Sequence, residues 1–112
     1  MLFRSDDGHL ARAAMIAPDD CATMAEVRAG VDAVDRQLVE LLGTRFGFMR
    51  AAARIKPDRG DVRDEPRKAA VIANASAAAT AAGLPDGLAA NLWEMLVEAS
   101  IAYEFRAFDA RD

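Results

Sequence analysis

The apolar positions of the chain fall into two patterns, one periodic and one nearly continuous. From Met24 they recur as Val27, Val31, Val34, Leu38 and Leu41, then Phe48, Ala52 and Ile55. The steps alternate between three and four, which is a heptad seam on one helix face. Arg45 takes the seam position between Leu41 and Phe48. Pro18-Asp19-Asp20 offers an aspartate cap at the start. Pro57 lacks the backbone donor that another turn needs. The seam therefore predicts a helix from about Asp20 to Lys56, followed by a mobile loop over Pro57–Arg63, where Pro, Gly and charge gather. A second, Ala-rich helix is expected from Asp64-Glu65-Pro66 to about Ala82, anchored by Val71 and Ile72. Gly83-Leu84-Pro85 reads as a stop and restart. The third helix, from about Asp86 to Phe108, is apolar on most sides, with Leu88, Leu92, Trp93, Met95, Leu96, Val97 and Ile101. That pattern predicts burial by several neighbours. Strand alternation and repeats are missing, so the expected class is all-α, with three helices.

The length of the first helix changes the picture. At 1.5 Å per residue it would extend roughly 55 Å, whereas a domain of this size has a radius of gyration of about 13 Å. An apolar seam that long needs a second chain, and a two-fold, intertwined helical dimer is the expected solution. Gly43 and Gly47 share one face of this helix. They would admit a close helix crossing, or else be tolerated at up to about 1 kcal/mol each.

Composition narrows the function. The 112 residues suit one domain, expected over 20–112 after a flexible tail at 1–19 with a possible helical turn at Leu10–Met15. A hydrophobic share of 53% supports a packed core. The net charge of −4 speaks against nucleic-acid partners and anionic membranes. Cys21 is the single cysteine and His9 the single histidine, too few for a disulfide or a structural zinc site, and a reduced cytoplasm is the simplest setting. No window resembles a bilayer span or a secretory signal.

The charged residues that break the pattern carry the candidate chemistry. A guanidinium at Arg45 on an apolar seam needs an anion, either a ligand or a carboxylate such as Asp35 or Glu104. Lys56 lies eleven residues on, within about 20° of the same face and about 16 Å along the axis. Arg28 lies about 25 Å before Arg45 and cannot serve the same small ligand in one chain. It would serve a partner's site, or be a solvated surface arginine. Arg67 and Lys68, with Arg63 just before them, oppose the dipole of the second helix. They suggest an anion docked at its N-terminus, unless Asp64 and Glu65 pair with them. Ser100 and Glu104 share one face of the third helix. No nucleophile has a base beside it, and there is no phosphate loop, dinucleotide fingerprint or metal cluster. What remains is a set of cations suited to a small polyanion whose reaction needs positioning and electrostatics, with no cofactor.

These positions together resemble the all-α chorismate mutases. The run Arg28-x-x-x-Asp32-x-x-Asp35 resembles the family's opening and Leu41-Leu42-Gly43-Thr44-Arg45 its next motif. Lys56, then Val62-Arg63-Asp64-Glu65-Pro66-Arg67, resembles the loop and the start of the second helix, and Ser100-Ile101-Ala102-Tyr103-Glu104 the last motif. The resemblance implies an intertwined homodimer with two sites shared between chains. In it Arg45, Lys56, Arg67 and the other chain's Arg28 would hold the two carboxylates and the ether oxygen of a dianion. Asp64, Ser100 and Glu104 would line the ring and enolpyruvyl side. Lys56, Glu104 and Arg45 would be catalytic in the rearrangement of chorismate to prephenate. Two departures stand out. Lys68 replaces the Glu that meets the ring hydroxyl in bacterial mutases, and Glu104 replaces the usual Gln. A Glu facing the breaking ether oxygen must donate a hydrogen bond, and so must carry a proton. Pro18-Asp19-Asp20-Cys21 and Arg50-Ala51-Ala52-Ala53-Arg54-Ile55-Lys56 are more similar to the isochorismate-pyruvate lyases, a branch of the same fold. A lyase that makes salicylate and pyruvate, and a non-catalytic helical partner dimer, are the alternatives.

Overall fold

The computed structural model describes residues 16–112. His9, the expected turn at Leu10–Met15 and most of the expected tail lie outside the described residues. Three helices carry the fold: α1 (Met24–Ile55), α2 (Glu65–Ala81) and α3 (Leu88–Asp109). No strand occurs among the described residues. By internal contacts the chain falls into two units, Met1–Arg45 and Phe46–Asp112.

In the first unit the start of α1 differs from the expected aspartate cap. Pro18–Asp20 forms its own short 3-10 turn, and α1 begins four residues later than Asp20. The reason is a capping box at Thr23-x-x-Glu26. Glu26 N–H donates to Thr23 Oγ1 at 3.2 Å, and Glu26 Oε1 accepts from the Thr23 and Ala22 amides at 3.0 and 2.7 Å. These two amides hold the Glu26 carboxyl below its ordinary range, with Ala22 the larger influence. From Met24 to Leu41 the seam is exposed, with Val31 53% and Leu38 51% accessible. An apolar hollow of about 450 Å³ lies along it, lined by Ile16, Pro18, Cys21, Val27, Val31 and Val34. Nothing among the described residues comes within 4 Å of a side chain built at Gly43, so the expected close crossing does not occur there within the chain.

The second unit makes its own core. Val62, Val97 and Ile101 are buried, with Val71, Ile72, Trp93, Phe105 and Phe108 packed around them. Asp64 caps α2 by accepting from the Arg67 amide at 3.0 Å, and Pro66 fits the donor-free first turn. Gly83, at φ +77°, ends α2 in a Schellman turn. Its amide donates to Thr80 O and that of Leu84 to Ala79 O, each at 3.0 Å. The helix α3 starts two residues later than expected, after Gly87 at φ +84°. One face buries Ala89, Val97, Ser100, Ile101 and Glu104, while Leu92 and Met95 on another stay exposed. Burial on most sides is therefore not achieved within one chain. The loop after α1 also differs from the expected mobile segment. Arg59–Asp61 forms a 3-10 turn closed by reciprocal Asp58 and Asp61 caps, and Val62 is a core residue only 3% exposed.

Candidate active site

The second unit brings two of the candidate residues into contact. Lys56 follows the last residue of α1, and its amide still donates to Ala52 O at 2.9 Å. Glu104 lies on the buried face of α3, one turn beyond Ser100. Lys56 Nζ stands 2.7 Å from Glu104 Oε2, with the Lys56 side chain 29% exposed and that of Glu104 5%. A buried carboxylate without a counter-charge would cost several kcal/mol, and Lys56 offsets that. The contact is close but off the direction of a good hydrogen bond, so Oε2 has a counter-ion and no directed donor.

The remaining candidates are distributed along the chain. Ser100 is buried, and its hydroxyl donates to Leu96 O at 2.7 Å, the back-bonding common for serine in a helix. Asp64 and Arg67 stand at the start of α2. Asp64 is engaged there as the cap, and the exposed Arg67 guanidinium has no acidic partner among the described residues. Arg28 and the half-buried Arg45 belong to the first unit, about 25 Å apart along α1 at its rise per residue. One small ligand cannot reach both in one chain.

The expected cation cluster at the start of α2 is resolved differently for two of its members. Arg63 grips Glu98 of α3 with both terminal nitrogens, at 2.7 and 3.1 Å, and also meets Glu65 at 2.8 Å. Lys68 bonds Glu94 and Glu98 at 2.8 and 2.7 Å. These partners pull the Glu98 carboxyl down to about 2, Arg63 more than Lys68. Glu94 and Glu98 raise Lys68 in turn. Arg63 and Lys68 therefore already have their anions on α3, which leaves Arg67 as the cation of that turn without one.

Three residues that the sequence pattern did not single out tie the turn at Lys56 to the end of α3. Arg59 forms a two-pronged pair with Asp109, at 2.8 and 3.1 Å, and lies over the Phe105 ring at 4.4 Å. Arg111 donates to Ala53 O at 2.9 Å and to Lys56 O, and lies over Phe108 at 3.9 Å. Their hydrogen-bond partners lie 50 or more positions away, and no local spacing signals such pairs. Among the described residues, no group of His, Cys, Asp and Glu is placed to hold a metal ion, and no helix is long and apolar enough to cross a membrane.

Comparison with known proteins follows the same residues. Positions 27–105 match the family described as chorismate mutase type II. An isochorismate pyruvate lyase of Pseudomonas aeruginosa is 27% identical over 92 residues, covering 82% of this chain and 91% of that protein.

Proposed function

The chain belongs to the chorismate mutase type II family, and from that premise we propose that it rearranges chorismate to prephenate without a cofactor. The observation that carries this reading is the contact of Lys56 with the buried Glu104 at 2.7 Å. By resemblance Lys56 would hold the ether oxygen, and Glu104 would line the enolpyruvyl side that carries it. Substrate binding brings that oxygen to Lys56, whose charge then stabilises the oxyanion that develops as the bond breaks. Glu104 stands beside the same oxygen, at the position that carries Gln in the bacterial mutases. Arg45 and Arg67 supply charge to the carboxylates, Asp64 and Ser100 line the ring side, and binding selects the folded conformer.

Arg28 acts from a second copy of the chain. Its separation from Arg45, about 25 Å along α1 at 1.5 Å per residue, supports a homodimer with shared sites. The exposed seam of Val31, Val34, Leu38 and Leu41 supports it too.

A second reading is favoured by Lys68. It occupies the position where bacterial mutases present a Glu to the ring hydroxyl, and its ammonium is tied to Glu94 and Glu98. Isochorismate carries its hydroxyl on a different ring carbon, so a lyase would not need that Glu. The Pseudomonas relative is named for that reaction. The test offers pure chorismate and pure isochorismate separately and follows prephenate, salicylate and pyruvate. Prephenate from chorismate is the expected product. Salicylate and pyruvate from isochorismate alone would replace the first reading by the second. Turnover of neither would overturn both and leave a non-catalytic helical dimer.

A further inference from the structure

Lys56 sits at the end of a helix and beside a loop, two places where a flexible side chain is hard to aim. We infer that Arg111, just after α3, and Arg59, bound to Asp109 at the end of α3, form a two-arginine clasp that positions Lys56. The first arm is Arg111. Its guanidinium donates to the carbonyls of Ala53 and Lys56, at the C-terminal end of α1, where carbonyls lack helical partners. A cation there also meets the negative end of the helix dipole. The second arm is Arg59, three residues beyond Lys56, bound by both carboxylate oxygens of Asp109. Each guanidinium is stacked on a ring of α3, Arg59 on Phe105 and Arg111 on Phe108. The stacking limits how far either can swing.

The two arms bracket the turn that contains Lys56, and both close onto the helix that carries Glu104. Asp109 is five residues beyond Glu104 and Arg111 seven. The backbone of Lys56 is thereby fixed relative to the carboxylate that its ammonium meets at 2.7 Å. Asp109 itself is held below the ordinary carboxylate range by the Arg59 hydrogen bond. Arg59, Asp109 and Arg111 are positioning residues, acting through Lys56 without touching the ligand. Misplacing a reacting group by about 1 Å can cost about 100-fold in rate, so a clasp outside the site can matter for turnover. The part of the inference that concerns turnover rests on the function proposed above; the positioning of Lys56 does not.

The chain has two lysines, Lys56 and Lys68, which provides a test independent of activity. The intact protein is labelled briefly with acetic anhydride, and the acylation of each lysine is read by peptide mass spectrometry in the parent, Arg111→Ala and Asp109→Asn. Release of Lys56 is expected to raise its labelling relative to Lys68 several-fold in both variants, with Arg111→Lys returning part of the way. An unchanged Lys56 to Lys68 ratio in both would overturn the clasp. If Arg111→Ala raises both lysines together through loss of fold, the Asp109→Asn ratio decides on the same criterion. That substitution touches only an exposed pair. With chorismate, Arg111→Ala should lower kcat about 10-fold or more with KM little changed, the split expected of misplacement. It should add nothing in a Lys56→Ala background. An equal further loss in that background would show a general structural role and contradict the positioning one. Should the parent turn over neither substrate while the labelling ratio shifts, the functional reading fails and the clasp stands.

Discussion

The two units of this chain achieve order in different ways. Phe46–Asp112 closes a core of its own around Val62, Val97 and Ile101 and ties its helices with Arg63–Glu98 and Lys68–Glu94 pairs. The described part of Met1–Arg45 is one helical stretch with a well-made capping box and no buried apolar residue. Its seam is as regular as any in the sequence, yet Val31 and Leu38 remain half exposed. An isolated helix gains little from propensity, since most helical stability in proteins comes from packing an apolar face. In the proposed homodimer the first unit is where a second copy would contribute most. The second is where chemistry can be held in place by the chain itself.

The comparison breaks most sharply at the seam. Val31→Glu combined with Leu38→Glu places two charges on the exposed face in each copy. Burying one such side chain contributes roughly 1.5–3 kcal/mol, so four of them in a two-fold pair approach the whole stability of a small domain, about 5–15 kcal/mol. Sedimentation should show monomers, and circular dichroism should show loss of helix. A folded dimer with both charges in place would rule out the seam as the interface. In the second unit, Ile101→Ala is expected to lower stability by about 2–5 kcal/mol. Denaturant titration would register that loss while sedimentation stays that of the parent.

Two site substitutions sharpen the contrast further. Lys56→Ala should reduce kcat by about 100-fold, the scale of losing one electrostatic donor. A change confined to KM would limit Lys56 to binding. Glu104→Gln puts a neutral hydrogen-bond donor at that position. The Gln variant's kcat near neutral pH should be at least equal to the parent's. Loss of activity at every pH in the Gln variant would remove Glu104 from the ether oxygen.

The smallest expected effect is that of Glu98. Its carboxyl is depressed to about 2, chiefly by Arg63. The folded protein thus holds it ionised where the unfolded chain, near 4.5, would bind a proton. The stabilisation is complete above about pH 4.5 and is lost as pH falls toward 2. The melting temperature of Glu98→Gln should lie below that of the parent at neutral pH, and the gap should close on acidification. An equal gap at both ends would mean that packing, not charge, explains it.

Much of the fold was legible because local chemistry sets it. Pro57 and Gly83 mark the ends of α1 and α2 through a missing donor and a positive φ, and the alternating seam marks α1 itself. The start of α1 was misjudged because Asp19 and Asp20 are good caps on composition. Thr23 with Glu26 offers two reciprocal hydrogen bonds and wins. The loop read as mobile because its residues are polar. The burial of Val62 depends on α2 and α3, which no local pattern reveals. For the candidate site, spacing singled out Lys56 and Glu104, but their meeting follows from tertiary packing across 48 positions. Arg59, Asp109 and Arg111 escaped for the same reason. An arginine near a chain end is ordinary until the carbonyls it reaches are known.

The central claim is that the first unit of one copy completes the site of another, and mixing two inactive variants tests it most directly. Arg28→Ala and Arg45→Ala chains are each expected to lose turnover. When they are unfolded, mixed in equal amounts and refolded, roughly half of the two-fold pairs should be hybrids, each with one intact site of two. Activity should then return to about a quarter of the parent's. If mass spectrometry shows that hybrids have formed and the mixture remains as inactive as either variant alone, Arg28 does not act across the dimer and the shared site is contradicted.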